Sequence, residues 1–171
     1  MKINEETLIE KAIEYSIALI TAAIKTAPKT RGQNSLMTIV LTKEEKDKLA
    51  SKMAEDQKHP FPRDAKNILE SDAVILVGTK TLYTGLNCGM CKKNNCAENQ
   101  KENGLCVFNT IDLGIAVGSA VSTCSNLKID NRVMYTAGIK ARDYEFLPKD
   151  YNVVLAIPLK ISQKNIFFDR K

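Results

Sequence analysis

Of the five cysteines in this 171-residue chain, four fall within nineteen positions: Cys88, Cys91, Cys96 and Cys106. The segment reads NCGMCKKNNCAENQKENGLC, with two, four and nine residues between successive cysteines. Thiolates are soft anionic ligands, suited to iron–sulfur clusters or to zinc. In a chain this poor in cysteine, such crowding points to metal or redox chemistry rather than to a disulfide framework. Three cysteines close in sequence can wrap one face of a cube-shaped cluster, and a fourth closes it from the far side of a short loop. Structural zinc sites more often pair two short knuckles, whereas only one C-x2-C pair is present here. The three-plus-one spacing favours an iron–sulfur cluster, with structural zinc as the alternative. Gly89 leaves the backbone free to turn, and Lys92, Lys93 and Lys101 offset the negative charge of a four-thiolate centre and help keep the thiols deprotonated.

Other reactive residue types are sparse. Cys124 stands apart on a helical stretch, where a lone cysteine is most simply a small core hydrophobe. His59 is the only histidine and sits in HPFPR, a turn. No Cys-His or Ser-His pair can be assembled from it, which argues against hydrolase chemistry. Asp112, expected at the start of a helix, complements the helix dipole. Neither a P-loop nor a G-x-G-x-x-G run occurs, so a dedicated nucleotide-triphosphate or Rossmann site is not expected.

The elements that must position the cysteines follow from periodicity. Residues 5–26 place Leu8, Ile9, Ala12, Ile13, Ile17, Ile20, Ala23 and Ile24 on one helical face. Asn4 or Thr7 caps this helix, Thr7 with Glu10 as a capping box. The face widens after Tyr15, which predicts burial on most sides in the second half. Residues 36–41 (LMTIVL) read as a buried strand. Thr42 with Glu45 opens a helix to about Glu55, and the prolines of 59–63 break it. A short helix over 64–69 leads to a second buried strand, 73–78. The cysteine segment is then a loop that needs something to order it. A helix rich in small residues spans 109–126, and strands are expected at 132–137 and 153–159. Alternating strands and helices predict an α/β or α+β sheet layered by helices, in one domain over 1–171 with a cysteine-rich insertion at about 84–107.

Composition narrows the function classes. Apolar residues make up 44% of the chain and charged residues 26%, an ordinary globular balance. Lysine and arginine outnumber acids 25 to 20. That mild, dispersed excess reads as a solvated surface, and with no Trp and only ten Phe or Tyr there is no stacking row for bases, so no nucleic-acid partner is expected. MKINEETLIE at the start lacks an apolar signal region, and Tyr15–Ile24 is too short to span a bilayer. A soluble, cytoplasmic protein without membrane insertion is the expectation.

C-x2-C-x4-C with glycine after the first cysteine resembles the single-cluster domain of iron–sulfur subunits in membrane electron-transport complexes, where four cysteines bind one 4Fe–4S cluster. The fourth spacing is shorter here, and Lys92 stands where those proteins often have glycine. More widely, TAPKTRGQN (26–34), the CGMC segment, CVFNTIDLGIAVGSAV (106–121) and VVLAIPL (153–159) resemble an uncharacterised prokaryotic family described as containing a ferredoxin domain. The same stretches resemble parts of the nitroreductase fold, whose FMN sits at a homodimer interface. In that resemblance DLGIAVGSAV begins the long central dimer helix, VVLAIPL is a late strand, and AAIKTAPKTRGQN is the helix-to-loop stretch beside the flavin. Two departures stand out: no arginine-rich stretch precedes residue 5, and Asn34 lies two residues later than the fold's A-P-S-x-x-N pattern places it. Arg31, a planar donor fork, could meet an FMN phosphate, the simpler alternative being a surface arginine after a helix. The resemblance implies a nitroreductase-like mixed sheet, a homodimer, and a redox or electron-transfer protein with an unidentified redox partner. An FMN-dependent oxidoreductase of unnamed substrate is its enzymatic form. The rival from another class is a non-catalytic binding or scaffold module whose loop is pinned by structural zinc.

Overall fold

β2 (Ala73–Lys80) is buried along nearly its whole length, so both faces of the sheet must be covered. In this computed structural model, which describes residues 2–168, β2 lies between β1 (Leu36–Thr42) and β4 (Tyr151–Lys160), with the short β3 (Asp130–Asn131) outside β4. Every pairing is antiparallel; Leu36 faces Thr79 and Ile75 faces Ile157. The period of two then divides the apolar run AVILV between two cores. Val74 and Leu76 join α2 (Lys43–Ala54), α3 (Phe61–Glu70) and α6 (Tyr135–Asp143) on one face. Ile75 and Val77 join α1 (Glu5–Thr26) and α5 (Val107–Asn126) on the other. This is an α+β sandwich of helices about an antiparallel sheet.

Asn4 is the N-cap of α1, its side chain accepting from the Thr7 amide at 2.9 Å, so the alternative Thr7 cap is not used. Thr42 caps α2 by position but without a side-chain hydrogen bond, so the Thr42–Glu45 box is not formed. α3 starts earlier than expected, at Phe61, because a proline in the first turn lacks only a donor that the helix does not need there. The expected strand at 132–137 is an error. Met134 makes one isolated bridge to Ala156, and α6 begins at Tyr135. The apolar alternation there came from a helix packed tightly on β4, and a β-carbon on Gly138 would lie 1.9 Å from the Val154 carbonyl oxygen.

α1 is also less buried than its sequence suggests. Its sheet-facing stripe is Ile13, Ser16, Ile20 and Ile24, while Leu8, Ala12, Tyr15, Leu19 and Ala22 remain exposed along the opposite side. α5 behaves similarly. By length and composition it is, among the described residues, the one helix able to cross a membrane, yet Leu113, Ala116, Val117, Ala120 and Cys124 are buried against the sheet and α1.

The contact at Gly138 gives a direct test of the α6–β4 packing. Gly138→Ala is expected to lower unfolding stability by about 3 kcal/mol through overpacking, read as a shifted denaturation midpoint in urea.

Candidate metal centre

The connection from β2 to α5, residues 81–106, is fixed first at its stem. The Leu82 amide donates to Asn109 Oδ1 at 2.8 Å, and the Tyr83 hydroxyl donates to the Gly104 carbonyl at 3.0 Å. Thr84 is buried, and its carbonyl accepts from Arg31 Nη1 at 2.7 Å. Beyond Thr84 the backbone runs through six consecutive exposed residues, Gly85 to Met90. Asn87, Gly89 and Lys92 all take positive φ, with Gly89 at 72°. Glycine adopts that region without a steric penalty, whereas Lys92 at 59° has a β-carbon to accommodate.

This winding brings the cysteines to one concavity. Cys88, Cys91, Cys96 and Cys106 all line it, and it is open to solvent. Backbone amides aim at the sulfurs: Asn87 N lies 3.4 Å from Cys96 Sγ, and Val107 N lies 3.4 Å from Cys91 Sγ. Asn87 Oδ1 in turn accepts from the Cys96 amide at 2.9 Å, so Asn87 and Cys96 clamp each other across the loop. α4 (Cys96–Lys101), a helix inside the expected loop, is capped by Asn95, whose Oδ1 accepts from Glu98 N at 2.9 Å. Glu98 reaches back to the Asn94 amide at 2.8 Å, and Lys93 pairs with Glu102.

Cys106 is the N-cap of α5, at the end of a twenty-residue helix where the dipole favours negative charge. It is 5% exposed, whereas Cys88 is exposed and Cys91 and Cys96 are intermediate. Burial pushes the Cys106 thiol up, the Phe108 and Asn109 amides oppose this, and the neighbouring Cys91 and Cys96 add to it. Among the described residues no three His, Cys, Asp or Glu side chains converge closely enough to hold a metal ion as they stand. A single zinc at about 2.3 Å from each sulfur needs the sulfurs about 3.8 Å apart. Here the four cysteines line one concavity, and no three of them converge on a point.

The remaining candidates are placed as follows. Arg31 is exposed, with left-handed backbone (φ 55°), in a 3-10 turn at Thr30–Gly32. Its Nη1 holds the stem of the cysteine loop, so this residue and the cysteines belong to one connected region. Asp112 is not at the helix start but in the second turn of α5, and it is 2% exposed. Its oxygens accept from the Thr30 amide at 3.0 Å and the Thr30 hydroxyl at 2.9 Å, anchoring the turn that carries Arg31. Dipole complementation, expected for Asp112, is therefore replaced by a long-range anchor. Cys124 is fully buried in the α1–α5 core and does not reach the other four. His59 is exposed beside α3, away from the cysteines. Asn87, Tyr83 and the helical Asn109 were missed because isolated polar residues carry no spacing signal.

The chain has counterparts among known proteins. The family model described as "Uncharacterized protein containing a ferredoxin domain" matches residues 102–170. An uncharacterized protein from Archaeoglobus fulgidus is 36% identical over 182 residues, covering 99% of this chain and 98% of its own. Among solved structures, a nitroreductase family protein from Clostridium novyi aligns with TM-score 0.61 at 16% identity, over 96% of this chain and 76% of that one. A putative nitroreductase in complex with FMN from Desulfovibrio desulfuricans aligns with TM-score 0.62 at 14% identity, over 100% and 81%. At these identities the likeness is one of fold: the chain has a nitroreductase-like architecture.

Thiol chemistry separates the cysteines. Burial pushes the Cys124 thiol up from about 9 to about 11. It therefore stays protonated when folded, and the stability this contributes is whole below pH 9 and lost as pH rises towards about 11. In metal-free protein at pH 8, iodoacetamide is expected to modify Cys88 rapidly and Cys124 only after denaturation, read by peptide mass spectrometry.

Proposed function

The chain belongs to the family of uncharacterized proteins containing a ferredoxin domain, and from that premise we propose that it is a redox protein whose Cys88, Cys91, Cys96 and Cys106 hold an iron–sulfur cluster of the 4Fe–4S type. The observation that carries this reading is the single concavity lined by all four thiols. The donor set fits in chemistry: four soft ligands line one concavity, amides of Asn87 and Val107 point at two sulfurs, and Cys106 is the N-cap of α5. Hydrogen bonds to the sulfurs are among the features that set a cluster's potential. A bound cluster supplies one-electron exchange. The chain's own work is to hold the thiolates, to bury Cys106 while leaving Cys88 at the surface, and to brace the loop stem through Arg31 and Asn109.

FMN is the second cofactor of this reading, supported by the FMN complex of the Desulfovibrio protein that shares the fold. The stretch resembling the flavin loop is held by Asp112, and Arg31 engages the chain through Nη1, with its other guanidinium nitrogens left to meet a phosphate. With flavin, the protein is an oxidoreductase acting on a small substrate.

Two uncovered apolar stripes support a homodimer. On α5, Ile111, Gly114, Ile115 and Gly118 are exposed, and no neighbour lies within 4 Å of a β-carbon built on either glycine. On α1 the exposed stripe is Leu8, Ala12, Tyr15, Leu19 and Ala22. Such faces bury well against a second copy through a two-fold axis. Leu19→Arg combined with Ile115→Arg is expected to convert a dimer to a monomer in sedimentation velocity, without loss of helical circular dichroism.

The central experiment is anaerobic purification, with iron, sulfide, zinc and flavin assayed on the sample that gives the visible spectrum. About four irons and four sulfides per chain, with broad absorbance near the violet end, are expected. Cys91→Ser or Cys106→Ser should remove most of both, while Cys124→Ser should retain them. One zinc per chain without colour would sink the redox reading in favour of a structural loop.

A further inference from the structure

The four cysteines are held unequally. The Cys91 sulfur accepts from the Val107 amide and the Cys96 sulfur from the Asn87 amide, each at 3.4 Å. Cys106 is buried at the N-cap of α5, where the Phe108 and Asn109 amides reach its thiol. Cys88 is held by nothing comparable. It is exposed, it lies outside every helix and strand in the run 85–90, and the hydrogen bonds to sulfur among the described residues go elsewhere. Its flanks are open as well: Leu86 is 41% and Met90 51% exposed, and nothing lies within 4 Å of a β-carbon built on Gly89. Yet the backbone on either side is pinned. Asn87 Oδ1 accepts from the Cys96 amide at 2.9 Å, and the Gly89 carbonyl accepts from the Lys92 amide at 2.9 Å. The Cys88 thiolate can therefore release a metal and meet it again without the loop unwinding.

We propose that the Cys88 corner of the cluster is an exchangeable metal position, which releases and takes up a ferrous ion while Cys91, Cys96 and Cys106 retain a three-iron cluster. The inference rests on the iron–sulfur reading above and deepens it, dividing the four ligands into three that hold and one that exchanges. Hydrogen-bond partners orient a ligand, and losing them typically costs about 10–100-fold in metal affinity. Three of the sulfurs have amide partners, so Cys88, without one, is the ligand most easily lost. Solvent access acts in the same direction. Water and a soluble oxidant reach the exposed corner first, whereas Cys106 is shielded. The exchange balances in charge and atoms. A doubly positive four-iron core gives one electron to a one-electron oxidant and one ferrous ion to water, leaving a singly positive three-iron core. The bond from that iron to the Cys88 sulfur breaks together with its bonds to the core sulfides, and the freed thiolate takes a proton from water. Ferrous ion and a one-electron reductant reverse the step.

The test starts from anaerobically purified protein with about four irons and four sulfides per chain. One equivalent of ferricyanide is added. The desalted protein is then assayed for iron and sulfide, examined by EPR, and treated with iodoacetamide before peptide mass spectrometry. The expected result is loss of one iron in four with sulfide retained, the EPR signal of an oxidised three-iron cluster, and labelling of Cys88 alone among the four cysteines. Ferrous ion with dithionite should restore the iron and protect Cys88 from iodoacetamide. Cys88→Ala should be isolated with about three irons and four sulfides, whereas Cys91→Ala and Cys96→Ala should each lose most of both. Labelling of Cys91, Cys96 or Cys106 at the three-iron stage, collapse of the whole cluster with all four labelled, a wild-type cluster that keeps all its iron, or a folded Cys88→Ala without iron would each overturn the proposal. The labelling is read on the wild-type chain, so it decides even where Cys88→Ala fails to fold. If iron and sulfide are absent at the start, the iron–sulfur reading itself fails; if they are present and Cys88 is not singled out, only the exchange position does.

Discussion

Buried polar groups in the first two turns of α5 must find partners, and their obligation organises the region around the cysteines. Asn109 and Asp112 are almost wholly buried at the base of a layer otherwise made of Leu113, Ala116 and Val117. An unmatched polar group there costs about 1–3 kcal/mol, more if charged. Asn109 meets that demand with the Leu82 amide, and Asp112 with the amide and hydroxyl of Thr30. One helical turn thus fixes both the departure of the chain from β2 and the turn that carries Arg31. Arg31 then closes the circuit by donating to Thr84, at the point where the cysteine segment begins. No side chain with an unsatisfied buried polar atom occurs among the described residues, so the circuit is complete as it stands.

Much of the layer architecture was legible in the sequence, and the reasons differ by element. The central strand announced itself because a strand covered on both faces has no polar positions, so 73–78 was an uninterrupted apolar run. α5 was visible as a small-residue helix, and the cysteine cluster was visible by crowding alone. The 132–137 stretch misled because a helix that lies flat on a sheet through Gly138 needs small residues where it touches, and its short apolar face imitates alternation. α1 misled differently: its abundance of apolar residues signalled one wide buried face, whereas the structure divides them between a buried stripe and an exposed one. Composition records how apolar a helix is, not which neighbour covers it.

The candidate site divides along the same line. Spacing identified the four thiols as a group, and the structure brings all four to one concavity. It could not foresee how the loop is wound. That depends on reciprocal contacts such as Asn87 with Cys96, nine residues apart, and on α4, whose six residues are set by Asn95 and Glu98 rather than by any periodic pattern. Asp112 shows the limit most plainly. Its position near a predicted helix start gave a local electrostatic role, but its partner is eighty-two residues away. Long-range partners of single polar residues leave no trace in one sequence.

The division of α5 into two faces gives a physical reason for its composition. Its sheet-facing side is fixed by Leu113, Ala116, Val117, Ala120 and Cys124, which fill the core without large volumes. The far side carries glycines at 114 and 118, each of which weakens a helix by about 1 kcal/mol relative to alanine. No close neighbour within the described residues calls for glycine at either position. A second surface approaching the backbone more closely than a β-carbon permits would offset that cost, with Ile111 and Ile115 flanking the contact. The same helix presents its N-terminus to Cys106. A second copy packed along that far side would hold the helix from both flanks and steady the one thiol anchored to regular structure, leaving adjustment to the loop that carries the other three.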